Sequence, residues 1–313
     1  MLEVRALPPE PDRSAVARRR VVGPFSLEDM TDSGRFHIGG DLDVARLGFG
    51  AMRLTGSGIW GEPDDHDECI RVLRRVPELG INVIDTADSY GPFVSEDLIA
   101  EALHPYPDGL VIATKGGLAR SGPGIWEAVG RPEYLRQCVE MSLRRLKLER
   151  IDLYQFHRPD PRVPFAESVG ALAELRTAGK IRHIGLSNVT VDQLAEARKI
   201  VEVVTVQNRY NLTDRSSEAV LEACERDGIG FIPWAPVAGG ELARPGGPLD
   251  RLAGEHGVSI TGLSLAWLLH RSPVMLPIPG TSKLDHLEQN AAALSVTLGD
   301  EEWAALEKEA ASA

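Results

Sequence analysis

Between residues 45 and 278 the chain alternates short β-rich apolar runs with longer amphipathic stretches, and that alternation permits few folds. The runs lie near 45–49, 81–85, 110–114, 151–156, 182–187, 203–207, 229–233 and 275–278. Helical periodicity fills the gaps near 66–79, 95–103, 132–147, 166–179, 191–201, 215–227, 260–271 and 284–293, and recurs near 300–311. Repeated βα units of this kind build α/β domains. Eight of them in roughly 270 residues match a (β/α)8 TIM barrel. An open doubly wound sheet is the alternative. Against it, Gly48-Phe49-Gly50 runs on into Ala51-Met52-Arg53 instead of completing the G-x-G-x-x-G of a Rossmann site. Polar residues also end the runs along the whole chain rather than at one switch point.

Ahead of the barrel, Phe36-His37-Ile38, Gly39-Gly40 and Leu42-Asp43-Val44 predict an N-terminal β-hairpin capping one end, because a Gly-Gly pair accepts the positive φ of a tight turn. Residues 1–35, with Pro8, Pro9, Pro11 and Arg18-Arg19-Arg20, lack apolar periodicity and predict a flexible arm before a barrel domain over 36–313. Met30 opens a segment more like a domain start, so residues 1–29 are either an appended arm or an overlong start assignment. Thr190 to Gln193 has the outline of a capping box, and Asp300 stands in N-cap position before the last helix.

A hydrophobic content of 43% in 313 residues supports a substantial core, as in a soluble globular protein. The net charge of -12 argues against nucleic acid as a partner, while a local basic pocket for a small phosphate remains compatible with it. Cys69, Cys138 and Cys224 show no metal-ligand spacing and are expected to be reduced, with no metal site. No run approaches the roughly 20 apolar residues of a membrane span, and the start lacks the apolar core of a signal peptide. A cytoplasmic protein without membrane partners is expected.

Four polar residues stand at or just past the ends of predicted strands or follow closely: Asp85, Tyr90, Lys115 and His157. In a barrel such positions face one rim, where an acid, a phenol, an amine and an imidazole together suit proton transfer. The Lys115 ammonium is expected to lower the Tyr90 pKa from its usual value near 10, and Asp85 to hold the lysine. His157 would orient a substrate oxygen or relay a proton. Taken singly, Asp85 reads as a helix or turn cap, Tyr90 as a packed loop aromatic and His157 as a satisfied core or rim histidine, so the case rests on the set. Lys115, ahead of Gly116-Gly117, must find water or a partner.

Ser187-Asn188, Gln207-Asn208 and Trp234 fall at further strand ends, offering carboxamides and an indole face that suit a planar ring bearing its own carboxamide, such as nicotinamide. Ile278-Pro279-Gly280-Thr281-Ser282-Lys283 leads into a helix and offers free N–H groups, hydroxyls and a cation for phosphate. Glu96-Asp97 and Glu301-Glu302 read as solvated helix starts with no functional role.

The motifs Leu47-Gly48-Phe49-Gly50, Asn82 to Gly91, Ala113-Thr114-Lys115, Asp152 to His157, Ile184 to Asn188 and Ile278-Pro279-Gly280 stand in one order. Together they make the chain resemble the aldo-keto reductase family over residues 45 to 294. The resemblance implies a (β/α)8 barrel that binds extended NADPH and reduces an aldehyde or ketone to an alcohol. It implies Tyr90 as general acid, Lys115 and Asp85 as its tuning pair, and His157 as the orienting group. Ser187, Asn188 and Gln207 would take the nicotinamide carboxamide, and Trp234 would stack on the ring. Gly50, Met52 and Pro236 would join them in the cofactor groove. Gly280, Thr281, Ser282 and Lys283 would hold the adenosine phosphate, with Gln289 and Asn290 near the adenine.

The chain departs from the family pattern at His286, where many members carry an arginine for the 2′-phosphate, and at Gln289, where a glutamate is common. Lys283 can supply the charge instead, so NADPH is expected with NADH possible. Gly58-Ile59-Trp60-Gly61, Ala102 to Tyr106 and Val206 to Asn211 resemble a bacterial branch that includes pyridoxal reductases. That likeness implies pyridoxal or another aromatic aldehyde as substrate, with Trp60, Arg158 and Arg209 in its pocket. Alternatives are an NAD-dependent alcohol dehydrogenase, a cofactor-binding regulatory subunit, and a tailoring enzyme whose arm contacts a partner. Monomer and homo-oligomer both stay open.

Overall fold

The structure is a computed structural model that describes residues 34–237 and 247–310. Most of the predicted N-terminal arm therefore lies outside the described residues. Strands β1 (Arg35–Ile38) and β2 (Leu42–Ala45) pair antiparallel, with Phe36 opposite Val44 and Ile38 opposite Leu42. Gly39 and Gly40 turn the hairpin at φ of +62° and +81°. A Cβ on Gly39 would lie 2.3 Å from the His183 ring, so the turn needs glycine for space as well as for backbone angle.

The barrel follows with β3 (Phe49–Gly50), helix α1 (His66–Glu78), β4 (Val83–Asp85), α2 (Val94–Leu103) and β5 (Val111–Gly116). A small antiparallel excursion, β6 (Leu118–Ala119) with β7 (Glu127–Ala128), precedes α3 (Pro132–Leu146) and β8 (Ile151–Phe156). Next come α4 (Phe165–Thr177), β9 (Ile181–Ser187), α5 (Val191–Ala197), β10 (Val203–Arg209), α6 (Glu218–Asp227) and β11 (Gly230–Trp234). Helices α7 (Pro248–His256), α8 (Ile260–Arg271), α9 (Leu284–Ala291) and α10 (Asp300–Ala310) complete the described chain.

Strands β3, β4, β5, β8, β9, β10 and β11 form one parallel sheet in that order. The eighth predicted run closes the ring but is not a regular strand. Its Leu276 N–H donates to Phe231 on β11 at 2.8 Å, while Pro277 and Pro279 carbonyls accept from Gly48 and Gly50 at 2.9 and 3.2 Å. The two prolines carry no N–H, so the segment spans both edges of the sheet without a continuous ladder. The fold is a (β/α)8 barrel with an N-terminal hairpin.

Local signals explain the helix boundaries. Asp65 and Ser259 accept from the backbone of Glu68 and Gly262, each at 2.9 Å, and Thr190 and Gln193 complete the expected capping box. Asp300 is the first residue of α10 rather than its cap. Helix α7 was not anticipated, because its buried apolar stripe is short, with Leu249 and Ala253 inside. No described helix is long and apolar enough to cross a membrane.

Ile38, Leu42 and Val44 of the hairpin pack with Val83, Val111, Leu153, Val204 and Ile232 from the early residues of the strands. The hairpin therefore plugs the N-terminal mouth of the barrel and leaves the opposite mouth open. Asp41 fastens the plug by accepting from Arg182 at 2.7 Å and pairing with His183 at 2.6 Å. Truncating the fully buried Ile38 to Ala is expected to lower unfolding free energy by about 2–4 kcal/mol. Urea unfolding measures this, and an unchanged midpoint would contradict the plug.

Candidate active site

Parallel strands carry their C-terminal residues to one rim. Asp85 ends β4, Lys115 is next to last in β5, His157 follows β8, Ser187 ends β9, Gln207 lies in β10 and Trp234 ends β11. Tyr90 arrives on the loop between β4 and α2. The four residues singled out from sequence meet there.

Lys115 is completely buried, and its Nζ donates to Asp85 Oδ1 at 2.6 Å and to the Thr86 carbonyl at 2.8 Å. Asp85 Oδ2 accepts from Gln155 Nε2 and Gln207 Nε2, each at 2.8 Å. A buried ion pair is tolerable only when the remaining hydrogen-bonding capacity is filled, and these amides do that. Gln155 was missed from sequence, although a glutamine in an apolar strand, two residues before His157, was a usable sign.

The Tyr90 hydroxyl lies 3.4 Å from Lys115 Nζ. Burial pushes the Tyr90 pKa up and Lys115 pulls it down, with burial prevailing. Lys115 lowers the Tyr90 pKa as expected, but burial outweighs it, so the net shift is upward and the phenol keeps its proton. Burial acts to lower the Lys115 pKa, but the Asp85 carboxylate overrides it and the ammonium is held above its ordinary value. Burial, reinforced by Lys115, Arg158 and Arg120, keeps His157 well below the usual imidazole range and therefore neutral. Its Nδ1 lies 3.4 Å from Ser89 Oγ, and its ring meets that of Tyr90 edge-on at 5.9 Å.

Trp126, on the loop between β6 and β7, faces both rings, with centroids 6.3 Å from Tyr90 and 6.5 Å from His157. It too was missed, since nothing in its Gly-rich surroundings signals a strand end. A cavity of about 780 Å³ opens here. Its wall takes in Asp85, Tyr90, His157 and Trp126, together with Gly50, Met52, Ser187, Asn188, Gln207, Trp234 and Pro236. Arg158, Gly280, Thr281, His286, Gln289 and Asn290 also line it.

Trp60, Arg209, Ser282 and Lys283 do not form part of that wall. Arg209 is paired with Asp214 at 2.8 Å and lies over the Trp234 ring, while Trp60 packs against Arg120. At the start of α9, Lys283 N–H donates to Thr281 Oγ1 at 3.0 Å and Leu284 N–H to Glu68 Oε1 at 3.2 Å, so two expected anion donors are already capped. Asn188, at φ of +58°, accepts from Trp234 Nε1 at 3.0 Å through Oδ1, which fixes the indole in the wall. Gly50 and Gly280 let two backbones meet: a Cβ on either would lie 2.6 or 2.5 Å from the opposite carbonyl oxygen.

Glu96 is not a solvated helix start. It is fully buried, accepting from Thr114 Oγ1 and pairing with Arg145, each at 2.6 Å. Asp88, nearby and buried, has one carboxylate oxygen without a partner.

The sequence profile of the Aldo/keto reductase family matches residues 46–310. The chain belongs to that family. This reductase is 54% identical over 287 residues to the uncharacterized oxidoreductase C215.11c of Schizosaccharomyces pombe, covering 92% of this chain and 93% of that protein. It is 43% identical over 268 residues to pyridoxine 4-dehydrogenase of Escherichia coli, covering 84% and 93%. Its structure resembles that of an aldo-keto reductase from Klebsiella pneumoniae in complex with NADPH, with TM-score 0.74, 26% identity and coverage of 88% and 94%. The enzyme is accordingly an NAD(P)H-dependent oxidoreductase of the carbonyl-reducing type.

Burial and then the neighbouring Glu96 raise the Asp88 carboxyl of this reductase from 3.8 to about 7. Between those values the folded state binds a proton that the unfolded state has lost, so this contribution to stability falls as pH rises. Asp88→Asn should therefore gain stability relative to wild type on going from pH 5 to pH 8. Urea unfolding at both pH values checks it, and a difference that did not change with pH would contradict it.

Proposed function

We propose that the protein reduces an aldehyde to an alcohol with NADPH, Tyr90 supplying the proton, and that pyridoxal or another aromatic aldehyde is the substrate. The observation that carries this reading is the Tyr90 hydroxyl in the cavity wall, 3.4 Å from a lysine ammonium held by a buried carboxylate.

The chemistry of the wall fits a nicotinamide dinucleotide. Trp234 offers an indole face, Ser187, Asn188 and Gln207 offer polar groups beside it, and Gly280, Thr281, Gln289 and Asn290 extend the wall into α9. Pro236, Gly50 and Met52 border the same groove. Support for NADPH comes from the cofactor named for the Klebsiella relative. Ser282, Lys283 and His286 are assigned to the phosphate end, with Lys283 the cation for the 2′-phosphate. NADH use is the alternative that His286 keeps open.

When bound, the cofactor supplies hydride to the carbonyl carbon. The protein's part is to deliver a proton to the oxygen as negative charge develops there. Tyr90 holds that proton at neutral pH because burial favours the neutral phenol. Lys115 stabilises the phenolate left after transfer, and Asp85 with its two carboxamides keeps the ammonium aimed at Tyr90. Neutral His157 is able to hydrogen-bond the substrate oxygen. Trp126 supplies a flat wall for an aromatic ring.

The aromatic substrate rests on the likeness to pyridoxine 4-dehydrogenase. That relative's name describes oxidation of an alcohol, and the same groups serve that direction, with Tyr90 accepting the proton. Tyr90→Phe should reduce kcat for pyridoxal by about 100-fold or more, with NADPH affinity nearly unchanged, because the proton donor alone is removed. Steady-state kinetics and calorimetric titration test it, and wild-type kcat in the variant would defeat the assigned mechanism.

A further inference from the structure

Arg120 follows β6 and opens the loop that carries Trp126. An arginine has five N–H donors in a planar fork, and here all of them reach main-chain carbonyls. Nε donates to Ile125 at 2.8 Å, Nη1 to Ile59 at 2.9 Å and Ser89 at 2.7 Å, and Nη2 to Gly58 at 3.0 Å and Gly122 at 3.5 Å. These carbonyls belong to three loops, the one before α1, the one carrying Tyr90 and the one carrying Trp126. The guanidinium carbon also lies 3.6 Å from the Trp126 ring centroid and 5.6 Å from that of Trp60.

Two of these contacts lead directly to reacting groups. Ser89 precedes Tyr90 in the chain, and its own hydroxyl lies 3.4 Å from His157 Nδ1. Trp126, stacked on the guanidinium, faces the Tyr90 ring at an interplanar angle of 84°. Backbone ties from Gly61 N–H to Gly91 at 2.5 Å and from Gly124 N–H to Gly58 at 2.9 Å bind the same loops to one another. Arg120 lies at the junction and does not line the cavity.

We propose that Arg120 is a positioning residue that ties Ser89 and Trp126 to one planar cation, setting the slot between Trp126, Tyr90 and His157 and thereby selecting planar aromatic aldehydes. This rests on the reductase reading above. A lysine keeps the charge but offers three donors at a single point, so it cannot serve five carbonyls or stack flat on the indole. A glutamine removes the charge as well.

The test compares Arg120→Lys and Arg120→Gln with the wild-type full chain on 4-nitrobenzaldehyde and on propanal. Both variants should lose kcat/KM on the order of 100-fold for the aromatic aldehyde, since small misplacements of reacting groups carry that penalty. The loss on propanal should be about tenfold or less, because a small substrate does not need the slot. NADPH affinity by calorimetry should stay near wild type. Trp126→Ala should lower the aromatic preference too, and combining it with Arg120→Gln should add little, because the two act through one wall. Equal losses on both aldehydes, or losses additive with Trp126→Ala, would reduce Arg120 to a general structural tie and overturn the proposal.

Hydrogen exchange separates failure of this proposal from failure of the reductase reading. Faster exchange in Arg120→Gln confined to residues 56–61, 88–93 and 120–127 supports the clamp even if neither aldehyde is turned over. Unchanged exchange there overturns it.

Discussion

The buried pair of Lys115 and Asp85 is the constraint on which the rest of the site depends. Both charges are buried, so each must be satisfied almost wholly from within. The carboxylate meets one ammonium and two carboxamides, and the ammonium also meets a backbone carbonyl and approaches a phenol. Removing either member of such a pair costs about 3–5 kcal/mol, because the other charge is stranded. This arrangement demands that β4, β5, β8 and β10 hold their registers, since each contributes a partner. Stability of the barrel and placement of the ammonium beside the Tyr90 phenol are thus one requirement.

The two mouths of the barrel divide the work. At the N-terminal mouth, the hairpin fills the interior with apolar side chains and is fastened by Asp41 to Arg182 and His183. At the C-terminal mouth, the strand ends deliver polar groups and the loops enclose a cavity of about 780 Å³. Gly50 and Gly280 let the closing segment approach β3, so the proline-rich eighth run forms part of the cavity wall while completing the ring. Strands hold Asp85, Lys115, Gln155 and Gln207, while Tyr90 and Trp126 sit on loops that Arg120 ties together.

Much of this was legible in the sequence, for a physical reason. The parallel strands are buried along nearly their whole length and so read as short apolar runs whose ends local patterns can locate, which assigned Asp85, Lys115 and His157 to one rim. Tyr90 followed from its place beside Asp85. What escaped depends on distant partners. Gln155 acquires meaning only from Asp85, and Glu96 looks solvated until Thr114 and Arg145 are seen to enclose it. Trp126 and Arg120 lie on a Gly-rich loop whose path no periodicity predicts. The eighth run had a strand's composition, but its prolines denied it a ladder. The lowering by Lys115 was legible because charge proximity is visible in sequence motifs, whereas the burial that outweighs it and raises the Tyr90 pKa is not.

The central claim is that this site moves hydride and proton to a carbonyl. The most direct measurement mixes wild-type protein in excess over NADPH with pyridoxal in a stopped-flow instrument, following nicotinamide absorbance and identifying the product by mass. The account predicts a single turnover in which each NADPH consumed yields one pyridoxine. NADPH that binds and is never consumed, with pyridoxal or with any of a panel of aromatic aldehydes, would contradict it.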